Sequence, residues 1–244
     1  GSRRVWRGPA RQPGRAAVRW CGCWRLLPLA LPCAVGVASV LAISIGPAFA
    51  ASLSGGSWHV WAGSQTLTKA TCTLQGTTST TDTYVDEFAP TSTFGGATTL
   101  SVSPKNNKRT WAFVRFDLSS CNIPTTGGAD SATLNLRITT APGSTQTLDV
   151  APVLTTWSGT SNWNNAQTFT YGTSFATITT GTTSNVTKSV TVTADVDALI
   201  KNPSANFGWQ ISEVGSNSNV STIFGSASNG TAINQPQLVV NYEK

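Results

Sequence analysis

The chain has 244 residues, with 16 Lys+Arg against 10 Asp+Glu and a formal net charge of +6. That charge is unevenly placed: seven of the basic residues fall in the first 25 positions, and no acidic residue precedes Asp82. Residues 51–244 carry 9 basic and 10 acidic side chains, a formal charge of −1, so the high pI gives no support to a nucleic-acid-binding surface in that part.

Residues 1–50 read as an export signal. Arg3, Arg4, Arg7, Arg11, Arg15, Arg19 and Arg25 precede an apolar stretch over 26–45. Pro47-Ala48-Phe49-Ala50 then offers small residues to a signal peptidase, and cleavage is expected after Ala50. The rival is a retained anchor, because about 20 apolar residues are enough to cross a bilayer. The product is thus expected outside the cell or on its surface, touching a membrane only through an uncleaved leader. Cys21, Cys23 and Cys33 belong to the leader, which leaves Cys72 and Cys121. In an exported chain this pair is expected to form a disulfide, with two buried free thiols as the alternative. Closing so long a loop stabilises by about 4 kcal/mol.

Residues 51–81 read as a polar lead-in with Trp58, Trp61 and Cys72, and the compact domain is expected over 82–244. Thr, Ser, Gly and Asn dominate, which favours strands and tight turns over long helices. Strand signals follow at Thr83-Tyr84-Val85, 98–102 and 111–116. In the last, Ala112, Val114 and Phe116 form the better core face, since Arg115 marks the Trp111/Phe113 face as partly wet. Residues 132–138 alternate cleanly, with Ala132, Leu134, Leu136 and Ile138 inward. Further strands are predicted at 148–151, 168–171, 189–193, 207–212, 220–224 and 237–242. Only 196–201 looks helical, with Asp195 as its cap and Asn202-Pro203 as its stop. About ten short strands predict an all-β, antiparallel β-sandwich, jelly-roll-like, with one short helix. An immunoglobulin-like sandwich would need a Cys-Trp-Cys spacing that is missing.

Little in the sequence points to catalysis. The only histidine, His59, precedes the expected domain, so a Ser-His-Asp arrangement would need a long reach. Paired carboxylates need no histidine, but the acidic residues have ordinary strand-end and helix-start explanations. Binding has more to work with. Lys105, Lys108 and Arg109 cluster in the 103–110 loop, where they suit an acidic polysaccharide, or equally a solvated hairpin tip. Trp157 is an aromatic candidate for stacking on a sugar ring, with core packing as the competing reading; Trp111, Trp163 and Trp209 compete more weakly. Asp82, Asp86 and Asp195 are weak candidates for a structural calcium, with no calcium-loop spacing behind them.

Asp82-Thr83-Tyr84-Val85-Asp86, then Ala89-Pro90-Thr91, Phe94-Gly95 and Thr98-Thr99-Leu100-Ser101-Val102, resembles the opening of DNRLRE-domain proteins. Ala112-Phe113-Val114-Arg115-Phe116-Asp117-Leu118-Ser119, Asn162-Trp163-Asn164-Asn165, and Pro203 through Trp209 resemble later motifs, as does Gln235-Pro236-Gln237-Leu238-Val239-Val240-Asn241-Tyr242. The resemblance covers nearly all of 82–242 in the right order. It implies a secreted bacterial β-sandwich related to carbohydrate-binding domains that include alginate binders. The chain departs from that pattern at Ala227-Ser228-Asn229-Gly230, where the family carries charge, and at Cys121, where it lacks a cysteine. The expected function is extracellular polysaccharide binding without cleavage. The alternative is a cell-surface structural or self-assembling protein in which 51–81 donates a strand to a neighbouring copy.

Overall fold

The computed structural model describes residues 53–54, 57–58, 67–213 and 218–244. The expected leader, His59 and Trp61 lie outside them. The chain divides at residues 63/64. In the first unit the described residues are β1 (Leu53–Ser54) and β2 (Ser57–Trp58), paired antiparallel.

The second unit is built from two antiparallel sheets. Its strands are β3 (Lys69–Gln75), β4 (Thr80–Asp86), β5 (Thr99–Val102), β6 (Thr110–Phe116), β7 (Ala129–Thr140), β8 (Thr147–Pro152), β9 (Ala176–Thr179), β10 (Val186–Thr191), β11 (Trp209–Ser212), β12 (Thr222–Gly225) and β13 (Gln237–Glu243). The five-stranded sheet runs β4-β6-β11-β8-β9. The six-stranded sheet is organised by β7, the longest strand. One edge of β7 is shared, with β13 along its first half and β12 beyond Ile138. Strand β10 takes the other edge, β3 lies outside β13, and β5 lies outside β12.

The inward residues of β7 are those its alternation predicts: Ala132, Leu134, Leu136 and Ile138 are all buried. Leu238, Val240 and Leu74 join them from the same sheet, and Ala112, Val114, Phe116, Leu148, Val150, Trp209 and Ile211 face them from the other. At about 25 cal/mol per Å² of apolar surface removed from water, this interleaved layer is the main stabilising contribution.

Two short helices occur among the described residues, where one was expected. α1 (Trp163–Ala166) is a single turn closed by a reciprocal cap: the Asn162 side chain accepts from Asn165 N, and the Asn165 side chain accepts from Asn162 N, both at 3.1 Å. Helix α2 (Thr193–Lys201) begins three residues before the expected start and buries Val196 and Ile200. Asp195 is not its cap. It lies inside the first turn and accepts a hydrogen bond from Trp209 Nε1 at 2.8 Å, so its charge serves an indole rather than the helix end.

Three expectations need correction. Strand β3 falls within the supposed lead-in, yet it pairs with β13 from Gln75↔Gln237 to Lys69↔Glu243. The sandwich therefore begins before Asp82, and the 69–75 part of the strand proposed for donation is already paired inside its own sheet. Residues 168–171 are not a strand; they form one isolated bridge, Val153↔Tyr171. The Trp111/Phe113 face of β6 is partly exposed at Trp111 and Arg115, as expected, but it is covered at Phe113. Val153, Trp157, Trp163 and Ala166 pack with Val85 and Phe113 into a second apolar cluster, leaving Phe113 at 1 % exposure. A strand with both faces covered loses the simple alternation that distinguishes inside from outside.

Cys72 of β3 and Cys121 form a disulfide with Cα atoms 5.5 Å apart. Cys121 ends a 3₁₀ turn, Leu118–Cys121, that starts on the Asp117 side chain accepting from Ser119 N. Asn122 then takes a left-handed conformation (φ 51°), and Tyr242 Oη donates to Cys121 O at 2.9 Å. The bridge ties the edge strand to the turn that follows the other sheet's β6.

Candidate functional site

β5 and β6 lie in different sheets, and the loop that joins them is closed by paired backbone hydrogen bonds between Ser103 and Thr110, at 3.0 and 3.1 Å. Beyond them the chain turns over Lys105 to Lys108, with Lys108 N donating to Lys105 O at 2.9 Å. Asn107 occupies the left-handed region there (φ 61°), a conformation asparagine adopts more readily than most residues. The turn places Lys105 and Lys108 on one open cleft of about 270 Å³. Asp86, Phe88, Ser101 and Asn219 line the same cleft.

Each side chain is positioned by a distinct contact. Lys105 Nζ donates to Asn219 Oδ1 at 2.9 Å. Lys108 Nζ stands 5.2 Å from the centre of the Phe88 ring. Phe88 is 72 % exposed, and its backbone N–H donates to Asp86 Oδ1 at 2.9 Å, which fixes the turn after β4. The ring is left largely in solvent, beside the Lys108 ammonium group, among the residues that line the cleft.

Arg109 belongs elsewhere. Its Nε and Nη2 donate to the two Glu87 carboxylate oxygens at 3.0 and 2.6 Å, and its backbone N–H adds a third bond at 3.1 Å. Those hydrogen bonds hold the Glu87 carboxyl below its usual range and the guanidinium above its own. The guanidinium also lies 5.3 Å over the Trp163 ring. Arg109 is thus a clamp between the 103–110 loop and the aromatic cluster, and the three-residue basic cluster reduces to two lysines at the cleft.

Trp157 does not offer a face to a sugar. It is buried, its Nε1 donates to Phe207 O at 2.6 Å, and the Arg115 guanidinium lies 5.3 Å over its ring. Phe113 packs against it with ring centres 5.6 Å apart. Trp163 and Trp209 are likewise buried, and Trp111 packs on Trp163 at 4.5 Å. Gly208 makes this arrangement possible: it sits at φ 69°, and a Cβ there would fall 2.1 Å from Val114 O.

The three carboxylates considered for calcium are not brought together. Asp82 is buried and accepts from Ala227 N at 2.6 Å, Asp86 holds the Phe88 turn, and Asp195 holds Trp209. Among the described residues no group of three or more His, Cys, Asp or Glu gathers at a cation-sized site.

Two members of the cleft escaped the sequence. Phe88 follows Asp86-Glu87 and precedes Ala89-Pro90, a strand exit in which an aromatic residue has no inward position; that was the available signal. Asn219 gave none, because β12 pairing with β5 alone brings it to Lys105 from 114 positions away.

The described residues thus form a two-sheet sandwich with Lys105, Lys108 and an exposed Phe88 on one cleft. Residues 73–242 match Carbohydrate-binding module family 96, and the chain belongs to that family. Membership is consistent with a non-catalytic, sugar-binding role. A comparison with curated proteins found no match.

Proposed function

We propose that the protein is an exported module that binds an acidic extracellular polysaccharide at the Lys105/Lys108 cleft and does not cleave it. The observation that carries this reading is the convergence of two ammonium groups and the exposed Phe88 ring on one cleft. Ammonium groups at that spacing suit carboxylates or sulfates along a glycan, giving charge-assisted hydrogen bonds. The Phe88 ring suits the apolar face of a pyranose, and Asn219 and Ser101 suit hydroxyl groups. Export rests on the leader expected over 1–50.

Affinity electrophoresis through gels containing alginate, polygalacturonate or neutral dextran tests the reading. The acidic gels are expected to retard the protein and dextran is not. Loss of a charged hydrogen bond costs about 1.5 kcal/mol or more, so each of Lys105→Ala and Lys108→Ala should weaken retention roughly tenfold. Unchanged retention of the double variant overturns this site.

A further inference from the structure

We infer that the outer face of the six-stranded sheet holds a second glycan site, separate from the cleft, that takes the carboxylate of a uronate residue on Arg137. It rests on membership of the carbohydrate-binding family but not on the Lys105/Lys108 cleft.

The register of four neighbouring strands puts Gln75, Gln237, Asn135 and Ser189 in one row across that face. Their side chains are linked in sequence. Gln237 Nε2 donates to Gln75 Oε1 at 3.4 Å, Asn135 Nδ2 to Gln237 Oε1 at 3.1 Å, and Ser189 Oγ to Asn135 Oδ1 at 2.7 Å. Strand spacing makes the row about 14 Å long. The mutual bonds hold the amides in fixed orientations and still leave acceptor and donor capacity, since each amide offers two N–H groups and a carbonyl. A row of this kind is pre-organised for hydroxyl groups, so less ordering entropy is lost on binding.

Arg137 lies two residues along β7 from Asn135, opposite Thr187 of β10. It lines, with Gln75, Asn135 and Gln237 of the row, a depression of about 280 Å³. Among the described residues no carboxylate lies within ion-pair distance of it, and its Nε–H is buried with no hydrogen-bond partner. Its one hydrogen bond is a long contact, 3.5 Å from Nη1 to Thr187 Oγ1. A guanidinium is built for two parallel bonds to a carboxylate, and no carboxylate among the described residues occupies this one, so Arg137 at the depression suits an anionic acceptor. The depression is walled by the turn Ala232–Asn234, pinned by Gln75 Nε2 donating to Ala232 O at 2.6 Å. That turn carries Ile233, 64 % exposed, which supplies an apolar surface beside the polar floor. Cation, amides and a lone apolar side chain match a carboxylated sugar: charge on Arg137, hydroxyls on Asn135 and Gln237, a ring face on Ile233.

The test is a ¹H–¹⁵N titration of the full chain with tetragalacturonate, with maltotetraose as the neutral control. The side-chain amide signals of Gln75, Asn135 and Gln237 and the Arg137 Nε–H are expected to shift with the uronate and not with maltotetraose. The same shifts are expected in the Lys105→Ala/Lys108→Ala variant, so failure of the cleft reading leaves this site measurable. Arg137→Gln should weaken these shifts at least tenfold in ligand concentration, with an unchanged thermal transition showing that the fold is intact; Gln237→Ala serves as the second variant. Silent amide signals at saturating uronate overturn the proposal, as do equal shifts with maltotetraose or shifts that survive Arg137→Gln.

Discussion

Asp82 shows how a residue legible as acidic acquires a role only from its surroundings. Its carboxyl is 5 % exposed and meets one donor, the Ala227 N–H, across the sandwich. Burial pushes its pKa up from 3.8 to about 6, with the Ala227 hydrogen bond acting in the opposite direction. The folded state therefore holds the proton more tightly than the unfolded chain. The resulting stability is fully present below pH 3.8 and is lost as pH rises through 6. The shift corresponds to about 3 kcal/mol. Asp82→Asn keeps an acceptor for Ala227 but cannot ionise. Relative to wild type, it should gain most of that amount between pH 4 and 7.5 in urea unfolding. The comparison within one position cancels Glu87 and Asp197, whose carboxyls are held low by Arg109 and Lys201 and which lose stability toward acid. A constant difference across that range would show that burial does not govern this carboxyl.

Single elements carry the contrast between what alternation reveals and what it hides. In β7, period-two patterning identifies every inward side chain, because one face meets the core and the other carries polar residues. In β6 the same logic misplaces Phe113. The segment after β8 folds back over the outer face and buries Phe113 beside Trp157, Trp163 and Phe169. Arg115 and Arg109 then lie over indole rings, their charged ends at the rim. Arg115 in the sequence therefore signals the boundary of a second core and not open solvent. Truncating a buried tryptophan typically costs about 3–5 kcal/mol. Trp157→Ala is expected to lose stability on that scale in denaturant titration, while protein that remains folded still binds acidic glycan. Selective loss of glycan binding at unchanged stability would return Trp157 to the binding surface.

The whole molecule depends on a link between its two sheets made close to an edge. Cys72 lies in the outermost strand of one sheet and Cys121 follows the second strand of the other, 49 positions later. A strand at an edge has one pairing partner, here β13, and is the natural place for fraying. The covalent loop constrains the unfolded chain by about 4 kcal/mol. Replacing both cysteines by serine should lower the thermal midpoint by on the order of 10 °C. Calorimetry under non-reducing conditions measures it, and a midpoint unchanged by the double replacement would place the strength of that edge in β3–β13 pairing alone.

The sequence by itself determined the class of fold, the inward face of β7, the disulfide pair and the two lysines that share a cleft. Alternation and the spacing of charges on one turn are local, and the disulfide followed from only two cysteines remaining after the expected leader. Tertiary structure decided the rest. It brought Asn219 beside Lys105, turned Arg109 onto Glu87, buried Trp157, and laid Gln75, Gln237 and Asn135 side by side. Those placements depend on which distant strands pair and which loop covers a sheet, and pairing energy is spread over many residues, so no short stretch of sequence encodes it.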